Sequence, residues 1–150
     1  MLTDIQYKTV CTACQILEDT RSYDQELLIT YDDFMDEAEE QTEFTDDLTK
    51  EECNKAIAAL KTADSTLTAY VQVYNAEEGI LYSDSLLLLT DLSEEQINNA
   101  FEEISEEYIC PSQIDRMSEE DVKTAVIIAP DGSNAPFKCD LNRLLQLWWD

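Results

Sequence analysis

The chain contains no histidine and only two glycines among its 150 residues. Histidine is the commonest general base and a frequent zinc ligand, so its absence excludes Ser-His-Asp triads and most catalytic zinc sites. Gly79 and Gly132 are too far apart to build a dinucleotide-binding fingerprint or a phosphate-binding loop. We therefore expect a protein that acts by binding, is not an enzyme and needs no cofactor.

Basic residues and long apolar runs are also scarce. Nine Lys and Arg stand against 34 Asp and Glu, which gives a net charge of −25. The longest apolar runs, residues 56–60 and 125–129, are far shorter than the ~18 residues of a membrane span. Residues 1–5 lack the basic and apolar stretches of a secretory signal. Because the negative charge also disfavours anionic membranes and direct nucleic-acid binding, we expect a cytoplasmic protein that contacts neither.

Five cysteines are present, an odd number in a chain without an export signal, which indicates reduced thiols. Cys11 and Cys14 form a CxxC motif, but it falls inside a predicted helix, where packing in the core explains it. A four-thiolate zinc site built from Cys11, Cys14, Cys110 and Cys139 is an alternative. That site would make the protein a thiol-metal-binding regulator.

Helical spacing of apolar residues recurs along the chain. It predicts a first helix over residues 3–18 and a second over 23–41, the latter starting at a capping box of Ser22 and Gln25. Thr49 with Glu52, and Ser93 with Gln96, form the same box ahead of a third and a fourth helix. Pro111 ends the fourth helix.

Other segments are ambiguous. The apolar spacing in residues 64–75 favours a continued helix, although their Thr, Tyr and Val content favours a strand. Residues 80–89 fit a buried strand or a short helix, and Asp140 caps a last helix with Trp148 in the core. Turn residues 130–133 predict a small β-hairpin near residues 124–139. We therefore predict a mainly α, single-domain helical bundle, possibly α+β with that one hairpin.

The acids cluster in two segments of the sequence. Residues 18–52, the first acidic segment, hold 15 acids and two bases, and residues 77–121, the second acidic segment, hold 14 acids and one base. Helical surfaces usually mix the two signs, because opposite charges four residues apart stabilise a helix. A solvated surface is the ordinary explanation of one acidic run. Two runs nearly free of bases indicate that the charge has a function.

Six carboxylates fall within residues 32–40 of the predicted second helix. A helix rises ~1.5 Å per residue, so they would provide one charge per roughly 2.2 Å, close to the ~1.7 Å of duplex DNA. Such carboxylates could pair with Lys and Arg of a partner as phosphates do. The predicted partner-binding residues are Asp32, Asp33, Asp36, Glu37, Glu39, Glu40, Glu102, Glu103, Glu106 and Glu107.

These features predict an inhibitor that occupies the basic site of a nucleic-acid-binding protein. In charge and size the chain is similar to the acidic nucleic-acid mimics that phages and mobile elements use against restriction, CRISPR or repair enzymes. No sequence motif supports that similarity. An immunity or antitoxin protein that neutralises a basic toxin would use the same electrostatics and is the first alternative.

Overall fold

The computed structural model describes residues 1–22 and 24–150, and it is a mixed α/β structure with ten strands in two sheets. The prediction of a mainly α helical bundle is wrong. The strands are β1 Glu26–Thr30, β2 Thr42–Phe44, β3 Thr68–Val73, β4 Asn75–Glu77, β5 Ile80–Ser83, β6 Ser85–Leu89, β7 Gln113–Arg116, β8 Ala125–Ile128, β9 Asn134–Pro136 and β10 Leu144–Trp148. The helices are α1 Asp4–Thr20, α2 Tyr31–Phe34, α3 Lys50–Ala63, α4 Glu94–Glu102 and α5 Glu119–Val122, and a 3₁₀ turn spans Leu141–Arg143.

The large sheet has seven strands in the order β7-β10-β6-β3-β1-β8-β9. Its neighbours are antiparallel except β1 and β8, which are parallel. Successive strand residues point to opposite faces, and both faces of β6 are covered. Leu86 and Leu88 join the main core, whereas Leu87 joins a smaller cluster on the other face. A central strand buried on both faces explains the unbroken run of leucines.

Helices and the small sheet cover one face of the large sheet. The main core combines residues such as Val10 of α1, Ile57 of α3 and Phe101 of α4 with the inner face of the sheet. On the opposite face, Val122 of α5 and Phe137 pack in a smaller cluster that covers part of that face. Within the described chain, no helix combines the length and apolarity that crossing a membrane requires.

Two helix starts were predicted correctly from capping boxes. The Thr49 hydroxyl accepts the Glu52 N–H, and the Ser93 hydroxyl accepts the Gln96 N–H, each with the reciprocal bond that defines the box. A box at Thr3 likewise starts α1. The fourth predicted helix, however, ends at Glu102, well before Pro111.

The remaining predicted helices are wrong. Residues 23–41 form β1 and the four-residue α2 (Tyr23 itself lies outside the described residues), residues 68–73 form β3, and the last predicted helix is largely β10. The apolar spacing of each segment is compatible with a helix and with a strand, and strand pairing within the sheet selects the strand. Residues 125–136 form the hairpin of β8 and β9, but at the edge of the large sheet and not beside a helical bundle.

Trp149, not Trp148, is the core tryptophan of the chain's last segment. Its side chain is 1% exposed, and its indole N–H donates to the Ile109 carbonyl at 2.9 Å. Its ring makes edge-to-face contacts with Phe44 and Phe101, at centroid distances of 5.3 and 5.5 Å. The prediction that Trp148 is the core residue assumed a helix, whereas a strand sends neighbouring side chains to opposite sides.

Candidate functional site

The small sheet brings the two acidic segments together. Its order is β2-β5-β4, and β2 of the first acidic segment pairs in parallel with β5 of the second. Leu81 and Phe44 of its inner face are buried in the main core. On its outer face, Glu43 lies opposite Tyr82, which in turn lies opposite Asn75. A surface row therefore runs across all three strands.

A tight turn connects β4 to β5 and presents a carboxylate beside this row. Glu78 and Gly79 have φ values of 52° and 83°, as the two central residues of a type I′ hairpin turn require. The Tyr7 hydroxyl donates to the Gly79 carbonyl and so ties the turn to α1. A Cβ at Gly79 would lie 3.1 Å from that hydroxyl, so both the backbone conformation and the close contact favour glycine here.

Nearby carboxylates raise the pKa values of two tyrosines on this surface. Burial raises the pKa of Tyr82, and the charges of Glu43, Glu77 and Glu78 raise it further. Partial burial also raises the pKa of Tyr74, with added contributions from the charges of Asp84, Asp46 and Glu77. A phenolate beside carboxylates is disfavoured by like-charge repulsion. We call the two tyrosines and the carboxylates that act on them the acid–tyrosine face: Glu43, Asp46, Tyr74, Glu77, Glu78, Tyr82 and Asp84.

The acid–tyrosine face is open to solvent. Glu43, Asp46, Glu77 and Glu78 are exposed, and Tyr74 is 60% exposed. Among the described residues, none of its five carboxylates lies within 4.0 Å of a Lys or Arg nitrogen. The Lys50 ammonium offsets part of the charge through its electrostatic interaction with Glu43. Its hydrogen bonds, however, go to the Thr42 hydroxyl and the Glu39 carbonyl. The face therefore remains strongly negative.

Several carboxylates predicted to bind a partner form ion pairs or hydrogen bonds within the fold. Asp33 and Asp36 lie 3.3 and 3.4 Å from the Met1 ammonium. Glu39 is only 9% exposed, and its carboxylate accepts the Leu2 and Gln41 N–H groups, both at 3.2 Å. These bonds hold the segment after α2 in place.

The other predicted carboxylates are exposed, but a long helix does not align them. Asp32 lies in α2 and lines a surface pocket together with Lys61, and Glu37 and Glu40 lie in the irregular segment that follows. Since α2 spans only Tyr31–Phe34, the helical charge spacing expected for residues 32–40 is wrong. Glu102 ends α4, and Glu103, Glu106 and Glu107 lie in the exposed loop beyond it. No hydrogen bond or ion pair between described residues joins the two groups.

The sequence did carry a signal for the acid–tyrosine face. Thr42-Glu43-Phe44 alternates buried and exposed side chains, as a half-buried strand does. Glu78-Gly79 between β4 and β5 is a weak form of the Asn-Gly hairpin signal. The pairing of β2 with β5 has no local signal, because the partners are distant in the sequence.

The thiols lie at separate places in the fold. Cys11 and Cys14 are half-buried in α1, Cys110 is buried after α4, and Cys139 follows β9. Burial, with a smaller contribution from Cys11, raises the pKa of Cys14 to about 11, so this thiol is protonated at neutral pH. Over residues 1–22 and 24–150, no three Cys, Asp or Glu side chains are grouped to hold a metal ion.

Comparison with known proteins gives no relative: no family model, no curated protein and no solved structure matches this chain.

Proposed function

We propose that this protein inhibits a nucleic-acid-binding protein by covering its basic site with the acid–tyrosine face. The observation that carries the proposal is the pairing of β2 with β5, which joins the two acidic segments in one exposed surface. The function therefore rests on a rigid sheet, and not on a helix with regularly spaced charges.

The chemistry of the face suits such a partner. Carboxylates accept paired hydrogen bonds from guanidinium groups, as phosphate oxygens do. The exposed ring of Tyr74 and the half-buried ring of Tyr82 add flat surfaces on which Arg side chains can stack. A net charge of −25 raises the rate of encounter with a basic protein by ~10–10³-fold at low salt.

The strands fix the backbone positions of the carboxylates before the partner arrives. Glu43 is fixed opposite Tyr82, and Glu78 is fixed by its turn and by the Tyr7 contact with Gly79. A surface ordered in advance loses less conformational entropy on binding, which favours affinity. Carrying several like charges close together costs stability, so a selected benefit is expected.

Affinity capture from a lysate of the source organism tests the proposal. The wild-type protein is compared with a face variant, Glu43→Gln, Glu77→Gln and Glu78→Gln, and with a loop variant, Glu103→Gln, Glu106→Gln and Glu107→Gln. Each variant loses three negative charges from exposed positions. The face variant loses them from both acidic segments, and the loop variant loses them from the second acidic segment alone. Captured proteins are identified by mass spectrometry while the salt concentration of the washes is raised.

We expect the wild-type protein and the loop variant to retain the same nucleic-acid-binding protein. The face variant should release it at a lower salt concentration, because it makes fewer ionic contacts. Release by the loop variant alone would contradict the assignment to the acid–tyrosine face. Retention by all three forms to the same salt concentration would contradict binding through the acid–tyrosine face. A captured basic toxin without nucleic-acid-binding activity would favour the immunity function instead.

A further inference from the structure

A groove next to the acid–tyrosine face has the chemistry of an arginine site. It lies between the second half of α1, the start of β1 and the end of β3, and its volume is about 380 Å³. That volume is at the lower end of the ~300–1,000 Å³ of small-ligand pockets. Tyr74 and Asn75 line it, so the groove opens onto the face at the same tyrosine.

The groove is lined by both apolar and acidic side chains, together with Gln25 and Gln72. Leu17, Leu27 and Val73 supply the apolar lining, while Glu18 and Glu26 supply the carboxylates. No Lys or Arg is found among its described lining residues. The Cys14 thiol, whose pKa of about 11 keeps it protonated, adds no further charge at neutral pH. This combination fits a side chain with an apolar stem and a cationic end.

The two carboxylates are placed differently. The Thr124 hydroxyl donates to Oε2 of Glu26 at 2.6 Å, which orients this carboxylate and leaves Oε1 without a hydrogen bond among the described residues. Glu18 is exposed, and no described side chain or backbone N–H donates to its carboxylate. Acceptor oxygens are therefore available on both carboxylates that line the groove.

We propose that this groove binds an arginine side chain of the basic partner, an inference that rests on the proposed function. The methylene stem packs against Leu17 and the Tyr74 ring, and the guanidinium donates to Glu18 and Glu26. Arginine fits better than lysine because its planar fork holds five donors, is less strongly hydrated and stacks on aromatic rings. Charge complementarity and continuity with the acid–tyrosine face point to the partner's side chain as the occupant.

A titration of the ¹⁵N-labelled protein with acetyl-arginine-amide, followed by NMR, tests the groove without the partner. The uncharged isostere acetyl-citrulline-amide and the matching lysine derivative are titrated in parallel. We expect saturable shifts of the Leu17, Val73 and Tyr74 amide signals with the arginine compound. We expect weaker binding of the lysine compound and no such shifts with citrulline, which lacks the charge.

Two variants of α1 separate the groove from general attraction. Glu18→Gln should weaken binding of acetyl-arginine-amide by about five- to tenfold, because it removes a charge-assisted hydrogen bond. Asp19→Asn removes the same charge from the neighbouring exposed residue, which does not line the groove, and should change binding less than about twofold, as expected for a screened surface charge.

Equal effects of Glu18→Gln and Asp19→Asn would overturn the groove site, as would equal binding of lysine and arginine. Either result leaves the proposed function intact, because the capture experiment depends on Glu43, Glu77 and Glu78. Conversely, specific arginine binding in the groove together with unchanged capture by the face variant would contradict the proposed function alone.

Discussion

Replacing Glu78 by Asn should make the protein more stable and its partner binding weaker. Glu78 has a φ of 52°, in the left-handed region that an ordinary L-residue occupies at a cost of roughly 1–2 kcal/mol. Asn tolerates this region, and Asn-Gly is the preferred pair of a type I′ turn. The residue that follows is already Gly79, with a φ of 83°.

The expected rise in the free energy of unfolding comes from the backbone conformation at residue 78 and not from a change in side-chain contacts. Part of the left-handed cost is recovered, so the free energy of unfolding should rise by about 0.5–1 kcal/mol. For a chain of this length, that corresponds to an increase in Tm of about 1–4 °C. Removing one of two adjacent exposed carboxylates, Glu77 and Glu78, also favours stability, but salt screens this effect.

The control is Glu78→Gln, which removes the same charge without Asn's tolerance of the left-handed region. Both variants should bind the captured partner more weakly and to the same extent, whereas only Glu78→Asn should be clearly more stable at high salt. Thermal unfolding in 0.5 M NaCl and a binding titration measure the two effects. Equal stability of the two variants would refute the turn assignment, and full partner affinity would refute a binding role for Glu78.

Three further predictions concern the rest of the fold. Asp64 accepts hydrogen bonds from Thr66 and Thr90 that hold its pKa well below the usual range. Its carboxylate therefore stabilises the fold above about pH 4. The Tm difference between the wild-type protein and Asp64→Asn should shrink as the pH falls below that value. Trp149→Ala should lower the free energy of unfolding by about 3–5 kcal/mol in a denaturant titration, because it leaves a cavity, and an unchanged midpoint would contradict the buried position. Glu43→Gln should lower the pKa of Tyr82 in an NMR titration of ¹³C-labelled tyrosine, and an unchanged value would mean that the two side chains are not adjacent.

Local signals predicted the parts of the fold that depend on local bonds. The capping boxes at Thr49 and Ser93 gave the starts of α3 and α4, since each box is complete within four residues. The box suggested by Ser22 and Gln25 failed because Leu27, Leu28 and Ile29 are buried between β3 and β8. Pairing with distant strands overrides helical spacing in such a segment.

The candidate site was only partly predictable for the same reason. The excess of acids in residues 18–52 and 77–121 is a property of the sequence, and both segments contribute to the acid–tyrosine face. Which carboxylates meet depends on the long-range pairing of Glu43 with Tyr82, for which the sequence has no local signal. Glu39 was wrongly grouped with the exposed acids around it, because nothing in the neighbouring sequence indicates that its carboxylate is buried and hydrogen-bonded.

Displacement of nucleic acid from the captured partner tests whether this protein and nucleic acid occupy the same basic site. Fluorescence anisotropy of a labelled oligonucleotide bound to that partner is followed while this protein is added. We expect the wild-type protein and the loop variant (Glu103→Gln, Glu106→Gln and Glu107→Gln) to release the oligonucleotide equally well. The variant with Gln at Glu43, Glu77 and Glu78 should require at least about tenfold more protein, since three charge-assisted contacts are lost. An oligonucleotide that stays bound at saturating wild-type protein would contradict the claim that the two acidic segments together imitate nucleic acid.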